Sequence, residues 1–171
     1  MENYNREKAW IWNTVQLYRH DRLDYLQNLI KRSQERNYKL GVKLVRGAYL
    51  EKENLRAEEK GYPTPMQPNK KATDRDYNAA LAHCIRNRDH VSVCAGTHNE
   101  ESTRYLVELM ASYEMAPNDA RVWFSQLLGM SDNLSFNLAY SGYNCAKYLP
   151  YGPVKAVMPY LIRRANENTS I

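Results

Sequence analysis

The chain has 171 residues, 43% hydrophobic and 25% charged, with seven glycines and seven prolines. That suffices for one domain with a buried core, is too little for two ordinary ones, and excludes disordered and collagen-like classes. The net charge is +5, yet 24 basic residues are interleaved with 19 acidic ones, and pairs such as Lys70-Lys71 and Arg163-Arg164 stand isolated. Nucleic acid is therefore not the expected partner, and a pocket for a small anion fits the mild excess better. No apolar run approaches the roughly 20 residues that span a bilayer, and the opening MENYNREK lacks the apolar core of a secretory signal. A soluble, cytoplasmic protein is expected. Cys84, Cys94 and Cys145 form no CxxC pair, so they read as reduced core residues rather than a zinc ribbon or disulfide framework. Fourteen tyrosines against two phenylalanines imply that some hydroxyls line a polar space, because a buried Tyr needs a partner.

In chain order, the aromatic and β-branched run over 9–18 predicts a strand, and Leu23, Leu26, Leu29 and Ile30 recur at helical spacing after it. A second strand is expected over 39–48, then a charged stretch over 50–60 that ends at GYPTPMQPNKK, whose three prolines forbid regular structure. A helix over 73–88 turns Tyr77, Ala80, Leu81 and Cys84 inward. The strand HVSVCAG leads to a helix opened by THNEES, where Thr97 and Glu100 have the spacing of a capping box, and Leu106, Leu109 and Met110 form its buried face. A strand over 121–127, a helix over 131–141, the weak strand CAKYL and a helix from Pro153 to near Asn168 complete the chain. Five strands and about six helices in alternation argue for an α/β fold with parallel strands.

The phosphate turns of doubly wound sheets, GxGxxG and GxxxxGKS, are absent. Polar groups gather instead where strands stop: Gln16 and Tyr18, Arg46 and Tyr49, Thr97, His98 and Asn99, Gln126, and Tyr148. That pattern suits a (β/α)8 barrel, whose function-bearing residues sit at strand C-termini. A full barrel needs about 250 residues, so the expectation is a partial TIM-type barrel, roughly strands 4 to 8 with their helices, forming a single domain over 1–171.

Each polar cluster has two readings. Arg46-Gly47-Ala48-Tyr49 is either an ordinary strand end or a place where Gly47 lets a ligand approach while Lys43 and Arg46 face an anion. Thr97-His98-Asn99 is either a helix cap or an anion site at a helix start, with His98 as an added donor. Arg163 and Glu167 have the spacing of a helical ion pair, whereas adjacent Arg163 and Arg164 suit a carboxylate that they straddle. His20, His83 and His90 lack metal-ligand spacing with His98, so no metal site is expected. Lys43 alone, with no second signature, does not support a Schiff-base lyase.

KLVRGAYLEKE, GTHNEES, QLLGMSD, YLPYGP and YLIRRANEN, in this order, resemble the catalytic barrel of proline dehydrogenase, and YGPV with PYLIRRANEN resembles its single-function branch. The resemblance implies FAD as cofactor, oxidation of L-proline to Δ1-pyrroline-5-carboxylate, and a quinone or other electron acceptor, with peripheral membrane contact. It assigns Arg163 and Arg164 to the proline carboxylate with Glu167 orienting them, Tyr148 and Leu127 to one wall of the substrate pocket, and Tyr49 to the other side. It assigns Gln16, Lys43, Val45, Ala48, Thr97, His98 and Asn99 to FAD. Leu50 stands where the family often has an aromatic residue, so no cofactor contact is carried to it. The strands that bear a further substrate-holding lysine and aspartate have no counterpart here. A fragment inactive by itself, associating through open barrel edges, and a hydroxyproline dehydrogenase are the alternative expectations.

Overall fold

Alternation along the strands decides which face of the sheet is covered. In the strand Val91–Gly96, Val91, Val93 and Ala95 are buried while Ser92, Cys94 and Gly96 are only partly so; in Leu40–Val45, Leu40, Val42 and Leu44 are fully buried and Lys43 and Val45 are not. Period-two burial of this kind needs a hydrophobic layer on one side of the sheet only. The computed structural model describes residues 1–168, with side chains as far as Ile162. The elements are β1 (Trp12–Gln16), α1 (Arg22–Glu35), β2 (Leu40–Val45), α2 (Leu50–Lys60), α3 (Lys70–Arg86), β3 (Val91–Gly96), α4 (Glu100–Ser112), β4 (Val122–Leu127), α5 (Asp132–Tyr140), β5 (Cys145–Tyr148) and α6 (Val154–Asn168).

The five strands form one sheet in the order β1-β2-β3-β4-β5, each pair parallel. The register aligns Thr14, Lys43, Cys94 and Trp123 across four strands, and Leu127 with Tyr148 across the last two. α1, α3 and α4 cover the opposite face. There Leu26, Tyr77, Leu81, Leu106 and Phe124 join the strand residues in one core. The sheet is not closed: β1 and β5 have one neighbour each. It is an open α/β arc, as expected for a partial barrel.

Several boundaries differ from the sequence reading for local reasons. β1 is shorter than 9–18 because Asn5 Oδ1 takes the amides of Trp10 and Ile11 at 3.1 and 2.9 Å, outside the sheet. α3 starts at Lys70, earlier than 73, because the Asn69 side chain caps the Ala72 amide at 2.9 Å. The charged stretch over 50–60 is helical and stops at Gly61, in the left-handed region at φ 70°. The proline-rich segment is irregular, as read, but it is pinned to the end of β1: the His20 amide donates to the Pro65 carbonyl at 3.0 Å, the Gln67 amide to the Tyr18 carbonyl at 2.7 Å, and Met66 is buried. All three cysteines are free, but only Cys84 belongs to the fully buried core; Cys94 faces the uncovered side of the sheet and Cys145 is half-buried.

Phe124 is fully buried and meets Tyr143 edge-on, ring centroids 5.6 Å apart. Phe124→Ala is expected to cost about 3–5 kcal/mol by urea denaturation, since a cavity opens between β4 and α5; a loss below about 1 kcal/mol would mean that the site collapses around the deletion.

Candidate functional site

Parallel strands end on the same side, so the residues just past each strand converge there. They enclose a cavity of about 660 Å³, a volume typical of small-molecule and cofactor sites. Ten of the residues picked from the sequence line it: Gln16, Lys43, Val45, Ala48, Tyr49, Thr97, His98, Asn99, Leu127 and Tyr148. They come from all five strands or the turns after them. Arg163, Arg164 and Glu167 lie within α6, but their side chains are outside the described residues. Leu50 is not in the lining.

The lining also includes Lys70, Met130 and Tyr160, which the sequence reading passed over. Met130 sits in the quoted QLLGMSD motif, one turn beyond Leu127, so its strand-end position was the available signal. Tyr160 lies in PYLIRR, and its ring packs at 67° to Tyr148 with centroids 6.2 Å apart. Three tyrosines, 49, 148 and 160, therefore line one partly polar space.

Among the described residues, three cations line the cavity, Lys43, Arg46 and Lys70, and the last two are paired with Asp74. The Lys43 ammonium lies 5.2 Å from the centroid of the Tyr148 ring, within cation–π range. Gly96 makes room for its stem: a Cβ there would lie 3.0 Å from Lys43 Cε and 2.9 Å from Val45 Cγ1.

Arg46 also lines the cavity, and each nitrogen of its guanidinium is hydrogen-bonded to the frame around it. Nε donates to Asp74 Oδ1 at 2.6 Å, Nη1 to Thr97 Oγ1 at 2.8 Å and Nη2 to Ser102 Oγ at 2.9 Å, and the group lies 4.4 Å over the Tyr77 ring. It thereby ties the end of β2 to α3, to the turn after β3 and to α4. Burial disfavours ionised Asp74, but Arg46 and Lys70 outweigh it and hold the carboxyl below its ordinary value.

Gly47 lines the cavity, and a packing constraint also acts on it. At φ 135° its missing Cβ would point not to a ligand but into the Tyr18 ring, 2.4 Å from Cδ1. The turn therefore folds onto Tyr18, buried beneath it, and this carries Ala48 and Tyr49 to the cavity. The capping box differs from the sequence reading. Asn99, not Thr97, caps α4, its side chain accepting from the Ser102 amide at 2.8 Å. Thr97 Oγ1 instead accepts from Arg46 and, at 3.1 Å, from the Asn99 amide, so its hydroxyl braces the turn. His98 Nδ1 lies 2.9 Å from Ser131 Oγ. Among the described residues no cluster of His, Cys, Asp and Glu could hold a metal, and no helix is long and apolar enough to cross a membrane.

The residues suit a large, partly anionic aromatic cofactor: a cation at Lys43, side-chain amides at Gln16 and Asn99, and a mixed aromatic and aliphatic wall at Tyr49, Leu127 and Tyr148. An arc of parallel strands with a cavity at their C-terminal ends defines part of a β/α-barrel enzyme fold. The family profile described as "Proline dehydrogenase" matches residues 1–171, and the chain belongs to that family. It is 42% identical over 171 residues to human proline dehydrogenase 1, mitochondrial, covering 98% of this chain and 28% of that protein. It is 40% identical over 175 residues to Xenopus laevis hydroxyproline dehydrogenase, covering all of this chain and 38% of that protein. Among solved structures, proline utilization A (PutA) from Bdellovibrio bacteriovorus inactivated by N-propargylglycine superposes with TM-score 0.87 at 26% identity, over 92% of this chain and 16% of that one. The chain thus spans well under half the length of these relatives.

Two measurements probe the site's frame. Gly47→Ala should destabilise the protein by at least about 2–3 kcal/mol in thermal or urea unfolding, because strained backbone and overpacking on Tyr18 add; near-neutral behaviour would show that Tyr18 can move aside. Asp74, with its folded pKa lowered from 3.8, contributes stability that is present above that value and lost as pH falls through the depressed one. Asp74→Asn should therefore make stability less steep in pH below about 4, and an unchanged acid limb would remove the Arg46–Asp74 pair from the cause.

Proposed function

We propose that this chain is the C-terminal portion of a flavin-dependent proline dehydrogenase barrel and carries most of its cofactor and substrate contacts. The observation that carries the reading is the gathering of ten residues, named from strand ends or from the family resemblance, around one cavity, in a chain of the proline dehydrogenase family. Bound in this cavity, FAD would supply the two-electron acceptor for the hydride leaving C5 of L-proline, with a quinone taking the electrons afterwards. Gln16, Lys43, Val45, Ala48, Thr97, His98 and Asn99 hold the cofactor in this reading. Lys43 supplies positive charge, and Thr97 and Asn99 are kept in place by Arg46 and the α4 cap.

Leu127 and Tyr148, adjacent in register, form one wall of the substrate space and Tyr49 the other side. Arg163 and Arg164 of α6 bind the proline carboxylate, with Glu167 orienting them. Two guanidinium groups on one carboxylate fix the ring's direction, which favours one of its carbons for hydride loss. The product is Δ1-pyrroline-5-carboxylate, after loss of C5 hydride and the amine proton.

The open edges of β1 and β5 are where the remaining strands of the barrel would pair; unpaired parallel edges otherwise invite association with another copy. A hydroxyproline dehydrogenase is a second reading, favoured by the 40% identity to the Xenopus laevis protein of that name. Discrimination is direct. The purified protein is expected to show a flavin visible spectrum and to reduce an artificial acceptor with proline faster than with 4-hydroxyproline; the reverse order supports the second reading, and a colourless, inactive isolated chain means that the preceding strands are required. In a flavin-loaded protein carrying this chain, Arg163→Met should raise KM for proline by about tenfold or more, as expected for a lost charge-assisted hydrogen bond, while flavin content holds. Unchanged proline kinetics would take Arg163 out of the site.

A further inference from the structure

A polar network lies behind the cavity, on the helix-covered side of the sheet. Successive strand residues face opposite ways. Tyr148 of β5 lines the cavity, and Lys147 points the other way, toward the start of α5. Its ammonium donates to the Met130 carbonyl at 2.7 Å and to Asp132 Oδ1 at 2.7 Å, with the Leu127 carbonyl at 3.4 Å. An ammonium has three donors, and here all of its partners belong to the turn over 127–132.

That turn needs holding. Gly129 and Ser131 both adopt left-handed backbone, at φ 78° and 51°, a conformation that Ser resists. Ser131 precedes α5 without a side-chain cap, because its hydroxyl is committed to His98 Nδ1 at 2.9 Å. The buried Gln126 joins the same two turns from below: Nε2 donates to the Thr97 carbonyl at 3.2 Å, and Oε1 accepts from Ser135 Oγ at 2.9 Å. The turn after β3 and the turn after β4 are therefore one hydrogen-bonded unit, and Lys147 grips its outer end. Stability alone does not account for this placement. Asp132 is half-exposed, and such a pair contributes little in water, whereas two backbone carbonyls of a single turn on one ammonium fix that turn's shape.

We propose that Lys147 is a positioning residue: from outside the cavity it sets the turn over 127–132, and with it the placement of Leu127 against the substrate and of His98 on the cofactor side. The proposal rests on the reading of the cavity as a proline and flavin site. In the flavin-loaded protein carrying this chain, Lys147→Met is expected to raise KM for proline about tenfold while kcat and flavin content change by less than about threefold. Lys147→Arg should recover part of the loss.

An independent readout needs no substrate. The His98 ring signals in NMR spectra, assigned with His98→Gln, should move in Lys147→Met and move less in Lys147→Arg. A lowered melting temperature with KM and His98 signals both unchanged would overturn the proposal and leave Lys147 a stabilising residue only. Should the wild-type protein fail to oxidise proline, the functional reading fails, and the His98 signals alone then decide the positioning role. If Lys147→Met does not fold, Lys147→Gln, which keeps a polar side chain but lacks the ammonium, is read the same way: moved signals support the proposal, unmoved signals overturn it.

Discussion

Everything in this molecule follows from one directional constraint: five strands hydrogen-bonded in parallel must all finish on the same edge of the sheet. Each return path is then a crossover, and the crossovers are helices packed on one face. The cavity therefore needs no special device to assemble. Residues 16, 43, 45–49, 96–100, 125–127, 130 and 148 meet because their strands point the same way.

Convergence alone does not fix side chains, and the polar groups behind the wall do that. Arg46 spends its three donor nitrogens on α3, α4 and Thr97, and Gln126 and Ser135 bridge to the next turn. Buried groups of this kind are costly unless every partner is present, so each bond in the network also specifies the position of a turn. Of the cations in the lining, Arg46 and Lys70 are paired with Asp74, whereas the Lys43 ammonium lies over the Tyr148 ring. Charge facing the ligand and charge bracing the frame are thus carried by different residues, three positions apart on one strand end.

This division explains what could be read from the sequence. Apolar alternation in LGVKLV and VSVCAG made the strands and their covered face visible, and the polar residues at their ends marked the cavity. Arg46 and Thr97 are visible as polar strand-end residues, but Arg46 finds its partners Asp74 and Thr97 at 28 and 51 positions along the chain. No local pattern tells a guanidinium that faces a ligand from one that faces Asp74. Gly47 lines the cavity, as its strand-end position suggests, but the ring that leaves no room for a Cβ there belongs to Tyr18, on the neighbouring strand end. The Thr97–Glu100 spacing satisfied the capping pattern, yet Asn99 had a side chain better placed to accept from Ser102. Tyr160 lines the cavity, yet a tyrosine among the apolar residues of a helix has the same local pattern as a core residue.

The uncovered face of the sheet bears on whether such an arc can stand without being closed. The fully buried apolar side chains, Leu17, Leu26, Leu40, Leu44, Leu81, Ile85, Leu106, Met110 and Phe124 among them, belong to the layer between strands and helices. The concave side offers Lys43, Cys94, Gly96 and Ser125, with Trp12 and Trp123 about one-third exposed and their indole nitrogens donating to the carbonyls of Ala9 and Ala120. Closing the sheet would bury those two indoles and satisfy the edges of β1 and β5, adding to a core that already exists. The helix layer therefore dominates the fold's hydrophobic stabilisation, because burial per unit of apolar area counts equally wherever it occurs. Closure matters more to the cavity, whose walls at Gln16 and Tyr148 stand on the two unpaired edge strands and would gain a rigid backing only when those edges are paired.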